Sequence, residues 1–148
     1  MLSLAKDVCG LRGDMCSPQT LQPQQIGQTL WDGGVFVLPY DSNPRTRLPA
    51  LLSGKNAHYG IVVGILAGWK LDTIASTGMD EPVLDSLNDV AALAHCDKEL
   101  FYILVQHSLS PKLSVAPWSA FVSSNQQLDT VDNNKFQVQE LDLKDRII

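Results

Sequence analysis

The run from His58 to Ile65 constrains the fold of this chain more than any other segment. It is rich in β-branched residues and carries Gly60 and Gly64 along its length. Short apolar runs of this composition are typical of strands that are buried in a sheet. We therefore expect the chain to be organised around a β-sheet to which this strand belongs.

The rest of the chain predicts further strands and four helices around this sheet. The predicted helices cover residues 1–8, Pro23–Trp31, Pro82–Ala94 and Trp118–Leu128, and the other predicted strands are Val35–Leu38, Leu100–Val105, Lys112–Ala116 and Lys135–Val138. A long loop, residues 40–56, joins the first two strands, and Ser108–Pro111 is expected to close a hairpin. This order predicts the α+β class with a mostly antiparallel sheet.

The start of the chain looks like the end of a helix. The first residues are amphipathic, and Gly10 is placed to end a helix of about two turns that has no cap. Such a helix is a poor independent element, so the natural fold is expected to begin upstream. We predict one domain over residues 1–135, incomplete at its N-terminus, followed by a C-terminal strand or tail over residues 136–148.

Composition and charge exclude several classes of protein. The chain has 148 residues, of which 45% are hydrophobic and 18% charged, and a net charge of −5. Its lysines and arginines are scattered singly, so no nucleic-acid partner is expected. No apolar run approaches the roughly 20 residues that span a membrane. Three cysteines at irregular spacing, and an N-terminus unlike a signal peptide, indicate a reducing, cytoplasmic setting.

His58 is the candidate catalytic residue. It follows a loop and opens the strongest strand, where a sheet fixes the backbone while the imidazole can face a cleft. A general base needs a rigid mount and a pKa near neutrality, and a histidine in this place can offer both. Gly60 lies on the same strand face and permits close approach there. The alternative is a strand-end histidine that is bonded to a loop carbonyl.

The remaining reactive side chains do not form a recognisable site. His95 and Cys96 are neighbours near a helix end, and adjacent helical side chains do not face each other. His107 lies in a hairpin loop and is expected to be solvated. Cys9 stands at the C-terminal end of its helix and Cys16 in a loop, so neither is placed as an activated thiol. There is no metal-ligand spacing and no serine-nucleophile motif, and no cofactor is expected.

Three stretches, taken in order, resemble the actin maturation proteases, also called actin aminopeptidases. The first is GVFVLPYD (Gly34–Asp41), the second is GKNAHYGIVVG (Gly54–Gly64), and the third runs from YILVQ (Tyr102–Gln106) through Trp118 to SNQQL (Ser124–Leu128). In that family the corresponding segments read G-x-P-L-L-I-P-Y-D, G-x-K-A-H-W-A-V and L-W-x-Y-D … S-N-x-Q-L. The resemblance covers the chain as far as Leu128.

The resemblance implies a papain-like cysteine peptidase fold, related to the bacteriocin leader-processing peptidases, of which this chain holds mostly the antiparallel-sheet half. It matches His58 to the family's catalytic histidine. Such enzymes remove the acetylated N-terminal residue of immature actin, so the actin N-terminus is the implied partner. Their nucleophile lies in an N-terminal segment reading Q-x-G-P-x-C-G. That segment has no counterpart here, and Cys9 does not match it.

Two departures from the family pattern bear on activity. Tyr59 stands where the family has Trp, an exchange of one aromatic residue for another. Ser119–Phe121 replaces the acidic D-x-D, so a carboxylate that orients the imidazole would be missing. We therefore expect a cysteine-type aminopeptidase relative that hydrolyses nothing on its own, whether a truncated chain, a shortened isoform or an inactive member. The alternatives are a non-catalytic actin-binding or interaction domain on the same scaffold, and a small-molecule binding module.

Overall fold

The computed structural model describes residues 13–69, 87–108 and 110–128. Their regular elements are helix α1 (Pro23–Trp31), strand β1 (Phe36–Asp41), strand β2 (Ala57–Ala67), helix α2 (Leu87–Ala92), strand β3 (Phe101–Gln106), strand β4 (Ser114–Pro117) and helix α3 (Trp118–Gln126). Two short 3-10 helices, Leu93–His95 and Lys98–Leu100, lead from α2 into β3.

The four strands form one antiparallel sheet in the order β1-β2-β3-β4. Tyr40 of β1 lies opposite His58 of β2. The pairing of β2 with β3 shifts register between Val62 and Gly64, which marks an irregularity in the longest strand. Helices together with an antiparallel sheet confirm the α+β class, and the predicted hairpin between β3 and β4 is present.

Helix α1 begins and ends where the sequence predicts. Pro23 occupies its first position, where the missing N–H has no intrahelical partner to lose. The side chain of Gln25 accepts a hydrogen bond from the backbone N–H of Gln22 at 2.8 Å, which caps the helix start. Gly33 follows the helix with a φ of 80°, a conformation that favours glycine. Ile26 is buried, so α1 docks through its apolar stripe.

The hydrophobic core lies between one face of the sheet and the helices. Its buried members are Phe36, Leu38, Tyr40, Val62, Phe101, Ile103, Val105 and Ala116 from the strands, with Ile26, Cys96, Trp118 and Phe121. Full burial of a large apolar side chain contributes roughly 1.5–3 kcal/mol. This packing places α3 directly against β1, at the end of the sheet where β2 begins.

The opposite face of the sheet carries apolar side chains that remain exposed. Tyr59, Ile61 and Val63 of β2 and Val115 of β4 are all more than a third exposed. Side chains alternate between the two faces of a strand, so these residues lie on the side away from the core. Within the described residues, the sheet is therefore packed on one face.

Several predicted boundaries differ from the structure. The strand predicted at Val35–Leu38 runs from Phe36 to Asp41 and passes through Pro39. Proline is tolerated there because β1 is an edge strand of the described sheet, where a missing N–H breaks no ladder bond on the unpaired side. Helix α3 ends at Gln126 and not at Leu128.

Other predictions lie outside the described residues. These are the helix over residues 1–8, the first residues of the helix from Pro82, the strand Lys135–Val138, and the division into residues 1–135 and 136–148.

Candidate functional site

His58 is the second residue of β2, at the end of the sheet against which α3 packs. Its backbone is paired with that of Tyr40, and its side chain is partly exposed. By the alternation of strand side chains, His58 shares the core-side face of β2 with Gly60 and Val62. The histidine thus has a backbone fixed by the sheet and a side chain that solvent can reach.

Gly60 is packed tightly between the two strands that flank β2. A Cβ atom at this position would collide with Cγ1 of Val105 and lie 3.2 Å from Cε1 of Tyr40. The residue is buried between β1 and β3, so a larger side chain would have to displace part of the core. The close approach expected here is confirmed. It keeps Tyr40 beside the start of β2.

Tyr40 lies in the core beside the start of β2. Its ring is fully buried and packs edge-to-face on Phe121, with the ring centroids 5.0 Å apart and the planes at 74°. The phenol oxygen lies 3.5 Å from the carbonyl oxygen of Arg47 and donates to it. Burial raises the pKa of Tyr40, while the Ser42 hydroxyl and the charge of Arg47 lower it in part. The phenol therefore stays protonated at neutral pH and serves as a hydrogen-bond donor.

Asp41, the last residue of β1, organises the loop that leads to His58. Its carboxylate is fully buried and accepts hydrogen bonds from three backbone N–H groups of that loop. The amides of Leu52 and Gly54 bond to Oδ2 at 3.2 and 2.7 Å, and the amide of Asn56 bonds to Oδ1 at 3.0 Å. Hydrogen bonds to a charged group are worth roughly 1.5–3 kcal/mol each, so they offset the desolvation of the carboxylate.

The end of α3 holds the same loop from its other side. The Ser124 hydroxyl accepts from the amide of Asp41 at 2.9 Å and donates to the carbonyl of Ala50 at 2.8 Å. The Asn125 carboxamide donates to the carbonyl of Pro39 at 2.9 Å. Both polar side chains are fully buried, and both bond to backbone groups that the strand ladder does not use.

Gln127 completes the link between α3 and the loop. Its carboxamide nitrogen donates to the carbonyl of Ala50 at 2.8 Å and to Oδ2 of Asp41 at 3.4 Å. Its carboxamide oxygen accepts from the amide of Ser53 at 3.1 Å. The three stretches that carry the resemblance, far apart in sequence, thus form a single hydrogen-bonded unit around the start of β2. We call this unit the Asp41 network; it comprises Asp41, Ser124, Asn125, Gln127 and the loop of residues 42–56.

Two non-glycine residues of the loop have left-handed backbone conformations. The φ angles are 64° at Arg47 and 53° at Ser53, and Gly54 follows with 79°. A left-handed non-glycine residue costs roughly 1–3 kcal/mol and persists only where its surroundings hold it. At Ser53 the hydrogen bonds of Leu52 and Gly54 to Asp41 supply that restraint.

The two described thiols are poor candidates for the nucleophile. Cys16 is partly buried against the core, and burial followed by the charge of Asp14 raises its pKa. Cys96 is buried, and burial is again the largest cause that raises its pKa, followed by the charge of Asp97. Both effects disfavour the reactive thiolate. Cys9 lies outside the described residues.

The two other histidines have different surroundings. His107 is only 4% exposed, and its Nε2 lies 2.9 Å from the Ser114 hydroxyl in a side-chain hydrogen bond. The prediction of a solvated loop histidine was therefore wrong, because the hairpin turns this ring inward to join the two strand ends. His95 is exposed while Cys96 is buried, as expected for neighbours that do not face each other.

The described residues also form a groove on the surface away from His58. A groove of about 290 Å³ lies between the start of α1 and α3, and its lining residues include Leu21, Lys98, Trp118, Ser119 and Val122. His58 does not line the groove.

Residues 13–69, 87–108 and 110–128 contain neither a cluster of metal-ligand side chains nor a membrane-spanning helix. No three His, Cys, Asp or Glu side chains in these ranges cluster closely enough to hold a metal ion. No helix there has the length and hydrophobicity needed to cross a membrane.

Comparison with known proteins links the His58 region to one family. Residues 1–66 match the family model described as "Actin maturation protease-like, C-terminal domain". The matched range contains Asp41, His58 and Gly60 and ends before β3 and α3. In this part the chain is similar to that domain, which supports a relation to the actin maturation protease family at a coarse level. No significant match was found among curated proteins or among solved structures.

Proposed function

We propose that this chain is the histidine-bearing part of a cysteine peptidase of the actin maturation type, with a papain-like fold and His58 as its general base. The observation that carries the proposal is the position of His58. It is the second residue of a rigid strand, remains partly exposed, and lies two residues after a loop that the Asp41 network holds in one conformation. The family match over residues 1–66 includes this histidine.

The chemistry is acyl transfer through a thiolate. His58 takes the proton of a cysteine thiol, and the thiolate attacks the carbonyl carbon of the scissile bond. The bond to the leaving amine breaks, His58 gives that amine its proton, and an acyl-enzyme remains. Water then loses a proton to His58, attacks the thioester and releases the acyl group, which restores the thiol. The substrate is the acetylated N-terminus of immature actin, the setting is the reducing cytoplasm, and no metal or cofactor takes part.

The thiol comes from a residue other than Cys16 and Cys96. Burial raises the pKa of both groups, which is the reverse of what an activated nucleophile needs. Cys9 does not match the family's nucleophile segment either, so the 148-residue chain is expected to hydrolyse nothing on its own. Turnover of an acetylated actin peptide by this chain, retained after Cys9→Ala and Cys16→Ala, would contradict the proposal.

The role of His58 is tested in cells that accumulate unprocessed actin. The protein is expressed in these cells from its natural gene as wild type, as His58→Ala and as His95→Ala. Mass spectrometry of the actin N-terminus then measures the fraction of actin that has been processed. Removing a general base lowers the rate about 10²–10⁴-fold, so His58→Ala should leave actin unprocessed. His95 is exposed and outside the site, so His95→Ala should behave as wild type. Normal processing by His58→Ala would overturn the proposal.

A non-catalytic actin-binding domain is the second candidate. It is favoured by Ser119–Phe121, which occupies the position of the family's acidic residues, and by the raised pKa of both described thiols. This candidate predicts that the chain binds immature actin without cleaving it and that His58→Ala leaves the affinity unchanged. Actin processing in the cells described above distinguishes the two candidates: the catalytic one predicts processing by wild type that His58→Ala abolishes, and the binding one predicts no processing by either form.

A further inference from the structure

Asp41 is the charged residue whose position in the β1–β2 ladder lies nearest to that of His58, the candidate base. Its burial needs an explanation. Asp41 is fully buried, whereas the other acidic residues whose burial the structure describes are not buried. A buried charge is costly unless hydrogen bonds satisfy it, and an apolar residue of similar volume would often be as stable. The carboxylate is therefore expected to serve a purpose besides stability.

The hydrogen bonds of Asp41 converge on the residues that immediately precede the histidine. Asn56, whose amide bonds to Oδ1, lies two residues before His58. The Asn56 side chain also donates to the carbonyl of Ser42. Across the strand pair, Asp41 lies opposite Ala57 and Tyr40 lies opposite His58. The carboxylate and the first rungs of the β1–β2 ladder thus fix the same short segment from two directions.

Gln127 restrains the carboxylate itself. The Gln127 carboxamide bonds to Oδ2 of Asp41 and to two backbone groups of the loop, at Ala50 and Ser53. Two of those three partners belong to the loop, so Gln127 restrains the conformation of the loop as well as the Asp41 carboxylate. Loss of Gln127 would loosen the loop without removing the charge.

We propose that Asp41 is the positioning residue of His58 and that Gln127 supports it. The inference rests on the proposed function for the role of His58 as a base. Asp41 acts through the backbone: it selects one conformation of residues 52–56 and so one location for the imidazole. Without it, the sheet persists while the loop and the histidine sample several arrangements.

Nuclear magnetic resonance of the 148-residue chain tests this inference without any need for catalysis. The forms compared are wild type, Asp41→Asn, Gln127→Ala and the control Asp32→Asn, which changes an exposed carboxylate that accepts from the Gln28 carboxamide at 3.0 Å. Hydrogen exchange is followed at the amides of Leu52, Gly54 and Asn56 and, as an internal reference, at Ile103. The titration of the imidazoles of His58, His95 and His107 is recorded in parallel.

In Asp41→Asn, exchange at the three loop amides should rise about tenfold to a hundredfold, as expected when a hydrogen bond to a charged group is weakened. Exchange at Ile103 should stay within about twofold. The His58 resonance should broaden or split and its titration midpoint should move, while those of His95 and His107 stay in place. Gln127→Ala should give the same pattern to a smaller degree, and Asp32→Asn should give none of it.

A purely structural role gives a different result. Exchange would then rise in parallel at the loop and at Ile103, or the loop would loosen while the His58 resonance and midpoint remain those of wild type. Either result overturns the inference. If Asp41→Asn does not fold, Gln127→Ala decides: an unchanged His58 in that variant contradicts the proposal. A His58 that proves dispensable for actin processing while these spectral changes occur shows instead that the proposed function fails.

Discussion

Gly60 is a position where the neighbouring side chains leave room only for the smallest residue. Its missing Cβ leaves room for Cγ1 of Val105, and Cε1 of Tyr40 would lie 3.2 Å from that atom. Tyr40 in turn packs on Phe121 and pairs with the strand position of His58. The close approach of Gly60 and Tyr40 therefore connects the core to the strand position of His58 through a single residue, Tyr40.

Replacing Gly60 by alanine is expected to lower the free energy of unfolding by about 1–3 kcal/mol, the usual cost of overpacking a core. Gly64→Ala is the matched control on the same strand. Its Cβ would make ordinary contacts with Leu104 at 3.7 to 3.8 Å. Urea unfolding of both variants measures the difference. Equal stability of the two would contradict the account of this contact.

The two described thiols give a prediction on pH dependence. Burial raises the pKa of Cys16 and Cys96 above that of a free thiol, so a smaller fraction is thiolate at pH 7.5. Only the thiolate reacts, so iodoacetamide should alkylate both thiols more slowly in the native protein than in urea at pH 7.5. The native rate should keep rising above pH 9. The Cys9→Ala variant leaves only Cys16 and Cys96 to react, and mass spectrometry measures their alkylation rates. Equal rates in the native and the unfolded protein at pH 7.5 would contradict the prediction.

Part of the site could be predicted from the sequence at this scale. His58 was identified because it opens a strongly β-forming run, and Gly60 because it shares a face with that histidine. The role of Asp41 was not identified, since its partners lie 11 to 15 residues ahead at Leu52, Gly54 and Asn56. A strand ending in aspartate gives no signal that a later loop will fold back onto it.

The hairpin of β3 and β4 shows how an element was predicted correctly while one of its residues was not. The sequence predicts that the strands Leu100–Val105 and Lys112–Ala116 pair across the turn before Pro111, and the ladder from Tyr102 to Val105 confirms this pairing. The sequence predicts a solvated His107 because turn residues usually are exposed. In the structure it bonds to Ser114, the first residue of β4. Local composition carries no information on whether a turn folds over the core.

The His107–Ser114 hydrogen bond is expected to stabilise this hairpin measurably. His107→Ala leaves the Ser114 hydroxyl without that partner and opens a small void, so the free energy of unfolding should fall by about 1–3 kcal/mol. His95→Ala, at an exposed position, should stay within about 0.5 kcal/mol of wild type. Denaturant titration of the two variants side by side is the measurement. An equal effect of both substitutions would show that the buried bond contributes nothing.

At the element scale, strand β1 was the least well predicted. The sequence predicts that Pro39 ends the strand, yet the strand continues to Asp41 because it lies at the edge of the described sheet. The continuation matters for the site, since it brings Tyr40 opposite His58 and Asp41 opposite Ala57. Edge position depends on the order of strands in the sheet, which the pattern of a single segment does not contain.

For the whole molecule, the fold class followed from the order of helices and strands, and the antiparallel sheet was anticipated. The family resemblance located the same three stretches that the Asp41 network joins in space. The family model matches residues 1–66. The hydrogen bonds from Ser124, Asn125 and Gln127 extend the unit beyond that range. Only the structure, in which the loop, β1 and α3 lie together, shows that these stretches form one hydrogen-bonded unit.

The central claim is that His58 is a catalytic base held in place by Asp41. Actin processing by the natural gene product, followed by mass spectrometry of the actin N-terminus, tests it with four forms: wild type, Asp41→Asn, His58→Ala and the double variant. We predict a loss of about tenfold or more for Asp41→Asn and of at least about 10²-fold for His58→Ala. The double variant should be no slower than His58→Ala, because Asp41 acts through the histidine. Processing by His58→Ala at the wild-type rate would contradict the account.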